Sequence, residues 1–319
     1  MSEISFHTLG PDAVLDAIEA IGLRPTGQYA VLRALENRVY DVGLEDGRHV
    51  VVKFYRPGRW SREAIAEEHR FLLDLRDAEI PVCAPLAFDG ETLFGGDGIP
   101  YALWDRTGGR EPEELGDETL EILGRLLARI HNVGALREAP HRTRLDAETA
   151  LLDPLDFLLD EDFLPDTYAD RYGDVVEALA DLLDENDADV PLHRIHGDCH
   201  LGNLLHGNQG WFFLDFDDFV VGPAVHDVWV LVPGRDDFAR RQRHQLVEAY
   251  RQFRDFESRW LDLVEPLRAT RILKISSWIA RRWDEPAFRS TFPHFGTELY
   301  WEQETQVLEE ILDEVRGAT

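Results

Sequence analysis

Between residues 28 and 55 the chain runs QYAVLRAL, then RVYDVGL, then RHVVVKFY, with the turn-forming pieces EN and EDG between the runs. Three β-rich runs joined by short polar turns predict an antiparallel meander. The pattern then changes period. PGRW-SREAIAEEHRFLLDLRDA reads as a helix with Ser61 at its N-cap and Trp60 placed to staple Ile65. A further strand at PYALW ends in DRTGGREPEEL, where the glycine pair predicts a hinge. Beyond it helical patterns dominate: ETLEILGRLLARIH, YGDVVEALADLLDE, QRHQLVEAYRQF, EPLRATRILKISSWIARRW and ETQVLEEILDEV. An α+β chain in two lobes is predicted, a small antiparallel β-rich lobe over 1–105 and a larger, mainly helical lobe over 106–319. No internal repeat interrupts that picture.

Composition narrows it. At 319 residues and 44% apolar content, the chain can bury a sizeable core. The opening MSEISFHTLGPD lacks a basic stretch and an apolar stretch, so no signal peptide is expected. WFFLDF, VWVLV and ILKISSWIA are too short to span a bilayer. The two cysteines, Cys83 and Cys199, make no disulfide framework, and a reducing cytoplasm is the expected compartment. A net charge of −29 disfavours nucleic acid and anionic membranes as partners. Of 33 basic residues only Lys53 and Lys274 are lysine.

The candidate chemistry centres on His196-Gly-Asp-Cys-His-Leu-Gly-Asn203. Those residues permit a zinc cage, a Cys199–His200 nucleophile pair, or a phosphoryl-transfer loop. The zinc reading lacks a second ligand cluster, and the thiol reading lacks a spatially separate base. The third gains support from the adjoining residues. Gly207-Asn-Gln-Gly210 signals a hairpin, and folding about its centre sets Asn203 opposite Leu214, beside Asp215. Asn203 and Asp215 then converge as hard oxygen ligands suited to Mg²⁺. Asp198, five residues before Asn203, becomes the carboxylate that orients an attacking hydroxyl.

Such chemistry also needs a lysine on the third strand, held by a glutamate of the next helix. Lys53 ends VVVK on that strand. Counted from Ala64 at about 100° per residue, Glu68 falls at roughly 40°, between Leu75 and Leu72 on the apolar face. An unpaired carboxylate there would be costly, so Glu68 is the expected partner, with Glu67 in reserve. Asp227 in GPAVHDVW either braces the catalytic loop or caps a helix.

Together ENRVY, VVKFYRPGRW, EEHRFLL, HGDCHLGN, FLDFDD, GPAVHDVW, EPLRATR and RRWDEPAF resemble the aminoglycoside/choline kinase-like phosphotransferases, most closely a bacterial cytoplasmic serine/threonine protein kinase. The resemblance implies a bilobal protein-kinase-like fold with ATP in the cleft. It implies Asp198 as proton acceptor, Mg²⁺ on Asn203 and Asp215, and Lys53, Glu68, Ala34, Asn37 and Trp104 on the nucleotide side. It further implies a part in surviving stress, with protein substrates phosphorylated on serine or threonine, autophosphorylation among them, by a chain expected to be monomeric. Two departures stand out. No glycine lies between Gly27 and Gly43, so the Glu36–Asn37 turn must cover the phosphates with backbone groups. Ala34, in Arg33-Ala34-Leu35, cannot supply the hydroxyl that the family offers ATP there. A small-molecule kinase acting on an amino alcohol or aminoglycoside uses the same motifs and is the alternative. A nucleotide-binding pseudokinase is a third reading, opposed by the complete Lys–Glu–Asp–Asn–Asp set. Arg268, Arg271 and Lys274 share a helix face and either pair with the carboxylate surplus or line the cleft.

Overall fold

Alternation of β-branched and aromatic residues builds a four-stranded antiparallel sheet in the order β1 (Pro25–Leu32), β2 (Arg38–Leu44), β3 (His49–Phe54) and β4 (Tyr101–Asp105). The computed structural model describes residues 6, 9–32, 34–96, 98–187 and 189–318. Most of the opening stretch read above for targeting signals, and Arg33, lie outside them. One face of the sheet carries Tyr40, Val42, Val50, Val52, Phe54 and Leu103 against Val14 and Ile18 of α1 (Pro11–Ala20). The period of two turns Val51, Lys53, Ala102 and Trp104 to the other face. Lys53 sits between Val39 and Ala102 in the register.

Helix α2 (Arg62–Asp77) covers that second face. Ser61 caps it, accepting from the Ala64 N–H at 3.1 Å, and Trp60 and Ile65 join one apolar cluster with Tyr55, Ala102 and Trp104. Its far end, with Phe71, Leu72 and Leu75, sinks into the core of the helical lobe. So α2 belongs to both lobes and fixes one against the other.

The helical part runs α3 (Asp117–Gly134), α4 (Asp153–Asp160), α5 (Asp166–Asp187), α6 (Ala224–Leu231), α7 (Asp237–Tyr250), α8 (Val264–Arg281), α9 (Pro286–Thr291) and α10 (Glu298–Ala318). Leucines of α3, α5, α7, α8 and α10 close around Tyr172, Phe216, Phe219 and Trp301 as one continuous core. Between α5 and α6 lie four short strands. β5 (Leu192–Ile195) pairs antiparallel with β8 (Val220–Pro223), and β6 (Leu204–Gly207) pairs with β7 (Gly210–Phe213) as a hairpin. Leu204 faces Phe213, and the Leu214 N–H donates to the Asn203 carbonyl at 2.8 Å. That is the register expected from the Gly207–Gly210 turn. Among the described residues no helix is long and apolar enough to cross a membrane.

Candidate active site

The pairing of β5 with β8 brings the loop after β5 against the loop that precedes β8. Gly197 makes the approach feasible. Its φ is +77°, and a Cβ there would meet the Asp218 carbonyl at 2.5 Å, so only glycine fits. His196, fully buried, pins the two loops side to side. Its Nε2 donates to the Leu214 carbonyl at 2.8 Å, and its Nδ1 accepts from the Asp198 N–H at 3.2 Å. The ring lies against Phe216, with centroids 4.4 Å apart. One imidazole thereby sets the positions of both Asp198 and Asp215.

The hairpin register pairs the Asn203 backbone with Leu214, the residue before Asp215. The Asn203 Nδ2 donates to the Asp198 carbonyl at 2.9 Å, and among the described residues its Oδ1 accepts no hydrogen bond. Asp215 has left-handed backbone, φ 55° and ψ 70°, a conformation that costs a non-glycine residue of order 1 kcal/mol and clusters at functional sites. Its side chain is 55% exposed, with Lys53 Nζ at 3.5 Å from Oδ1. A spare amide oxygen and an exposed carboxylate are hard donors that fit Mg²⁺. Among the described residues no group of three or more His, Cys, Asp or Glu side chains is placed to hold a metal. A cation here would complete its shell from water and phosphate.

The Asp198 carboxylate is already engaged. Arg271 Nη1 donates to its Oδ1 at 2.7 Å, and His200 Nε2 stands 3.4 Å from its Oδ2. Burial would raise this carboxyl, but His200, Arg271 and Lys274 outweigh it and hold the group well below the usual carboxylate range. It is anionic at every physiological pH.

Lys53 is 8% exposed and Glu68 1%, and Nζ lies 3.3 Å from Glu68 Oε1. The reserve candidate Glu67 instead accepts the His141 N–H. Lys53 has a second partner that the sequence did not single out, Asp217 at 3.2 Å. Arg59 donates to the Asp217 Oδ2 at 2.6 Å and to Asp218 at 2.5 Å, and the buried Arg142 donates to the Asp217 carbonyl while its guanidinium covers the Trp60 and Phe219 rings. Burial would raise Asp217, yet Lys53, Arg59 and the Asn37 amide together hold it below the ordinary range. Glu68 goes the other way: burial raises it more than Lys53 lowers it.

The turn between β1 and β2 is engaged differently from the expectation. Asn37 is buried, donating through Nδ2 to Asp217 at 2.8 Å and accepting the Arg56 N–H at 3.2 Å. Glu36 accepts from the Trp278 indole and from Arg282 of the α8 end, and forms an ion pair with Arg56 at 2.9 Å. The carbonyls of Leu35 and Glu36 are taken by Arg56. The turn is thus a clasp to the helical lobe, held by side chains and carbonyls, while Ala34 stands exposed beside it. Trp104 packs edge-on against His69, with Lys53 Nζ 5.1 Å from its ring centroid, and closes the back of the cleft.

Asp227 is a brace and not a cap: it lies inside α6, fully buried. It accepts the N–H groups of His196 and Gly197 at 2.8 Å each and pairs with His131 Nε2 at 3.0 Å. His131 is held in turn by the Tyr250 hydroxyl at 2.9 Å and touches the His193 ring, centroids 5.0 Å apart. His193 is 6% exposed, and neither ring nitrogen has a partner among the described residues. Burial pushes its pKa down to about 2, against roughly 6.5 in an unfolded chain. A depressed histidine contributes stability that is present above the unfolded value and lost as pH falls below it. From pH 7 to 5 that loss is about 2 kcal/mol, at about 1.4 kcal/mol per proton and pH unit. His193→Phe, which removes the proton site, is expected to shrink the pH 7-to-5 drop in unfolding free energy, measured in urea, by this amount. Identical drops in both proteins would show that His193 does not govern acid lability.

The rival chemistries fail on geometry. Cys199 is fully buried, its thiol donates to the Asp227 carbonyl at 3.3 Å, and burial pushes its pKa well above the ordinary thiol value. It is no nucleophile. His196 spends both nitrogens on the loops and His200 points to Asp198, so no zinc cage forms.

A model of the phosphotransferase enzyme family matches residues 30–264. Stress response kinase A of Escherichia coli K12 is 38% identical over 305 residues, covering 95% of this chain and 93% of its own. The serine/threonine protein kinase RdoA of Salmonella typhimurium is 38% identical over 302 residues, covering 94% and 92%. Among solved structures, amicoumacin kinase in complex with AMP-PNP, Ca²⁺ and its ligand superposes with a TM-score of 0.74 at 20% identity, over 95% of this chain and 93% of that one. The bilobal kinase-like fold is shared with such enzymes, and the chain belongs to the phosphotransferase enzyme family.

Proposed function

We propose that the protein is an ATP- and Mg²⁺-dependent kinase that phosphorylates serine or threonine of protein substrates, in the service of a stress response. The observation that carries the kinase reading is the joint placement of Asp198, Asn203 and Asp215 by His196, with the Lys53–Glu68 pair above them. The protein acceptor and the stress role draw on relatives of near-full coverage named as stress response and serine/threonine kinases.

In this reading Lys53, steadied by Glu68, holds the nucleotide phosphates. Asn203 and Asp215 would hold Mg²⁺, which neutralises charge on the phosphates. Asp198 orients the acceptor hydroxyl. As the oxygen–γ-phosphorus bond forms, the bond from γ-phosphorus to the β–γ bridging oxygen breaks. Its electron pair leaves on ADP, and the hydroxyl proton passes to Asp198.

The alternative is a small-molecule alcohol kinase, which the shared fold with amicoumacin kinase keeps in view. Labelled ATP with a protein panel, beside choline, homoserine, ethanolamine and aminoglycosides, separates the two. Mg²⁺-dependent labelling of protein serine or threonine, lost in Asp215→Ala, is expected. Efficient labelling of a small alcohol and none of protein would decide for the alternative.

A further inference from the structure

The two lysines of this chain both end in the cleft: Lys53 on Glu68 and Asp217, Lys274 with Nζ 3.5 Å from Asp218 Oδ2. Lys274 is one turn of α8 beyond Arg271, whose Nη1 is 2.7 Å from Asp198. Arg268, a turn earlier, is a useful contrast. Its Nε and Nη2 fork onto Glu265 at 3.0 and 3.2 Å, and its Nη1 bonds the Pro233 carbonyl, so it is spent on the fold. Among the described residues Arg271 makes one hydrogen bond, and Lys274 only its long contact with Asp218; the Lys274 side chain is 47% exposed.

Charge near the acceptor hydroxyl follows from this arrangement. Asp198 and Asp218 alone would form an acidic subsite welcoming an ammonium group. Arg271 caps the first, and Lys274 and Arg59 cover the second. An ammonium group close to the reacting hydroxyl would meet the guanidinium of Arg271. A carboxylate or phosphate would instead find donors with capacity to spare, since a guanidinium fork suits either group and an ammonium adds a point charge. In a chain of net charge −29, such a cationic pair runs against the overall field.

We propose that Arg271 and Lys274 form an anion subsite for the phosphate acceptor, and that the acceptor is a hydroxyl flanked by carboxylate or phosphate, as in an acidic or already phosphorylated segment. The proposal rests on the kinase reading for its reaction, and its test separates the two. Matched peptides around one serine, flanked by aspartate and phosphoserine or by lysine, are offered with MgATP to the full chain, beside glycerate and ethanolamine. The acidic peptide is expected to show a roughly tenfold higher kcat/KM than the basic one, a difference of about 1.4 kcal/mol. Lys274→Glu should bring that ratio to about one, through KM, while Lys274→Arg keeps it. The ratio is blind to a general loss of activity. A lysine-flanked preference in the native enzyme, or an unchanged ratio in Lys274→Glu, overturns the proposal. If only small alcohols are phosphorylated, the protein-kinase reading fails and the subsite stands or falls on glycerate against ethanolamine. If nothing is phosphorylated, fluorescence anisotropy decides, using the phosphoserine-flanked peptide with alanine at the acceptor position. Its affinity should drop about tenfold in Lys274→Glu, and an equal affinity overturns the subsite.

Discussion

Asp198→Asn is expected to lower phosphoryl transfer by about 10²–10⁴-fold, the range that a lost general base commonly costs. The substitution keeps the side chain's shape, so the Arg271 contact and the hairpin base should persist and MgATP should still bind. What disappears is the anion that aims the hydroxyl and takes its proton. Because Arg271, His200 and Lys274 hold this carboxyl below the usual range, it is a weak base. That suits a loose transition state, in which the proton moves late and orientation matters more than basicity. The same depression predicts no acid limb from Asp198 in the rate between pH 5 and 8. Steady-state transfer with labelled ATP, alongside calorimetric MgATP binding, checks both statements. Turnover within tenfold of native would remove Asp198 from the mechanism.

How far such a site can be read before folding depends on the range of the contacts that make it. The hairpin register was legible because Gly207–Gly210 fixes a centre, and local turn geometry then dictates that Asn203 meets Leu214. Glu68 was legible for a similar reason: a carboxylate on the apolar face of one amphipathic helix demands a cation, and Lys53 was at hand. Asp217 escaped. It follows Asp215 by two residues, and only the left-handed turn at Asp215 brings both carboxylates to Lys53. The clasp of Glu36 to Trp278 and Arg282 joins positions over two hundred residues apart, a pairing no periodicity encodes. Arg271 was placed on the right helix face, but its partner Asp198 depends on how α8 lies across the catalytic loop.

Asp227 shows the same limit at larger energetic stakes, and Asp227→Ala is expected to be the most damaging single change to the fold of the site. Read from GPAVHDVW alone, the residue could brace or cap, and the two roles predict different losses. Removing a cap costs about 1 kcal/mol. Removing this carboxylate strands the His131 Nε2–H and the His196 and Gly197 N–H groups, all buried. Each of the three abandoned donors costs about 1–3 kcal/mol, so the lower part of their sum already reaches about 3–5 kcal/mol. A loss of about 3–5 kcal/mol is therefore expected from urea unfolding, a large share of the roughly 5–15 kcal/mol that a folded domain has in hand. Burial would raise Asp227, but the hydrogen bond from His131 holds it below the ordinary carboxylate range. Its contribution is present above the unfolded value near about 3.9 and is lost as pH falls through the depressed folded one. The difference between native and Asp227→Ala should then be flat from pH 6 to 8. Transfer should collapse further than the unfolded fraction explains, because the freed loop no longer sets Asp198 beside Asp215. A loss near 1 kcal/mol with transfer intact would return Asp227 to the role of a cap.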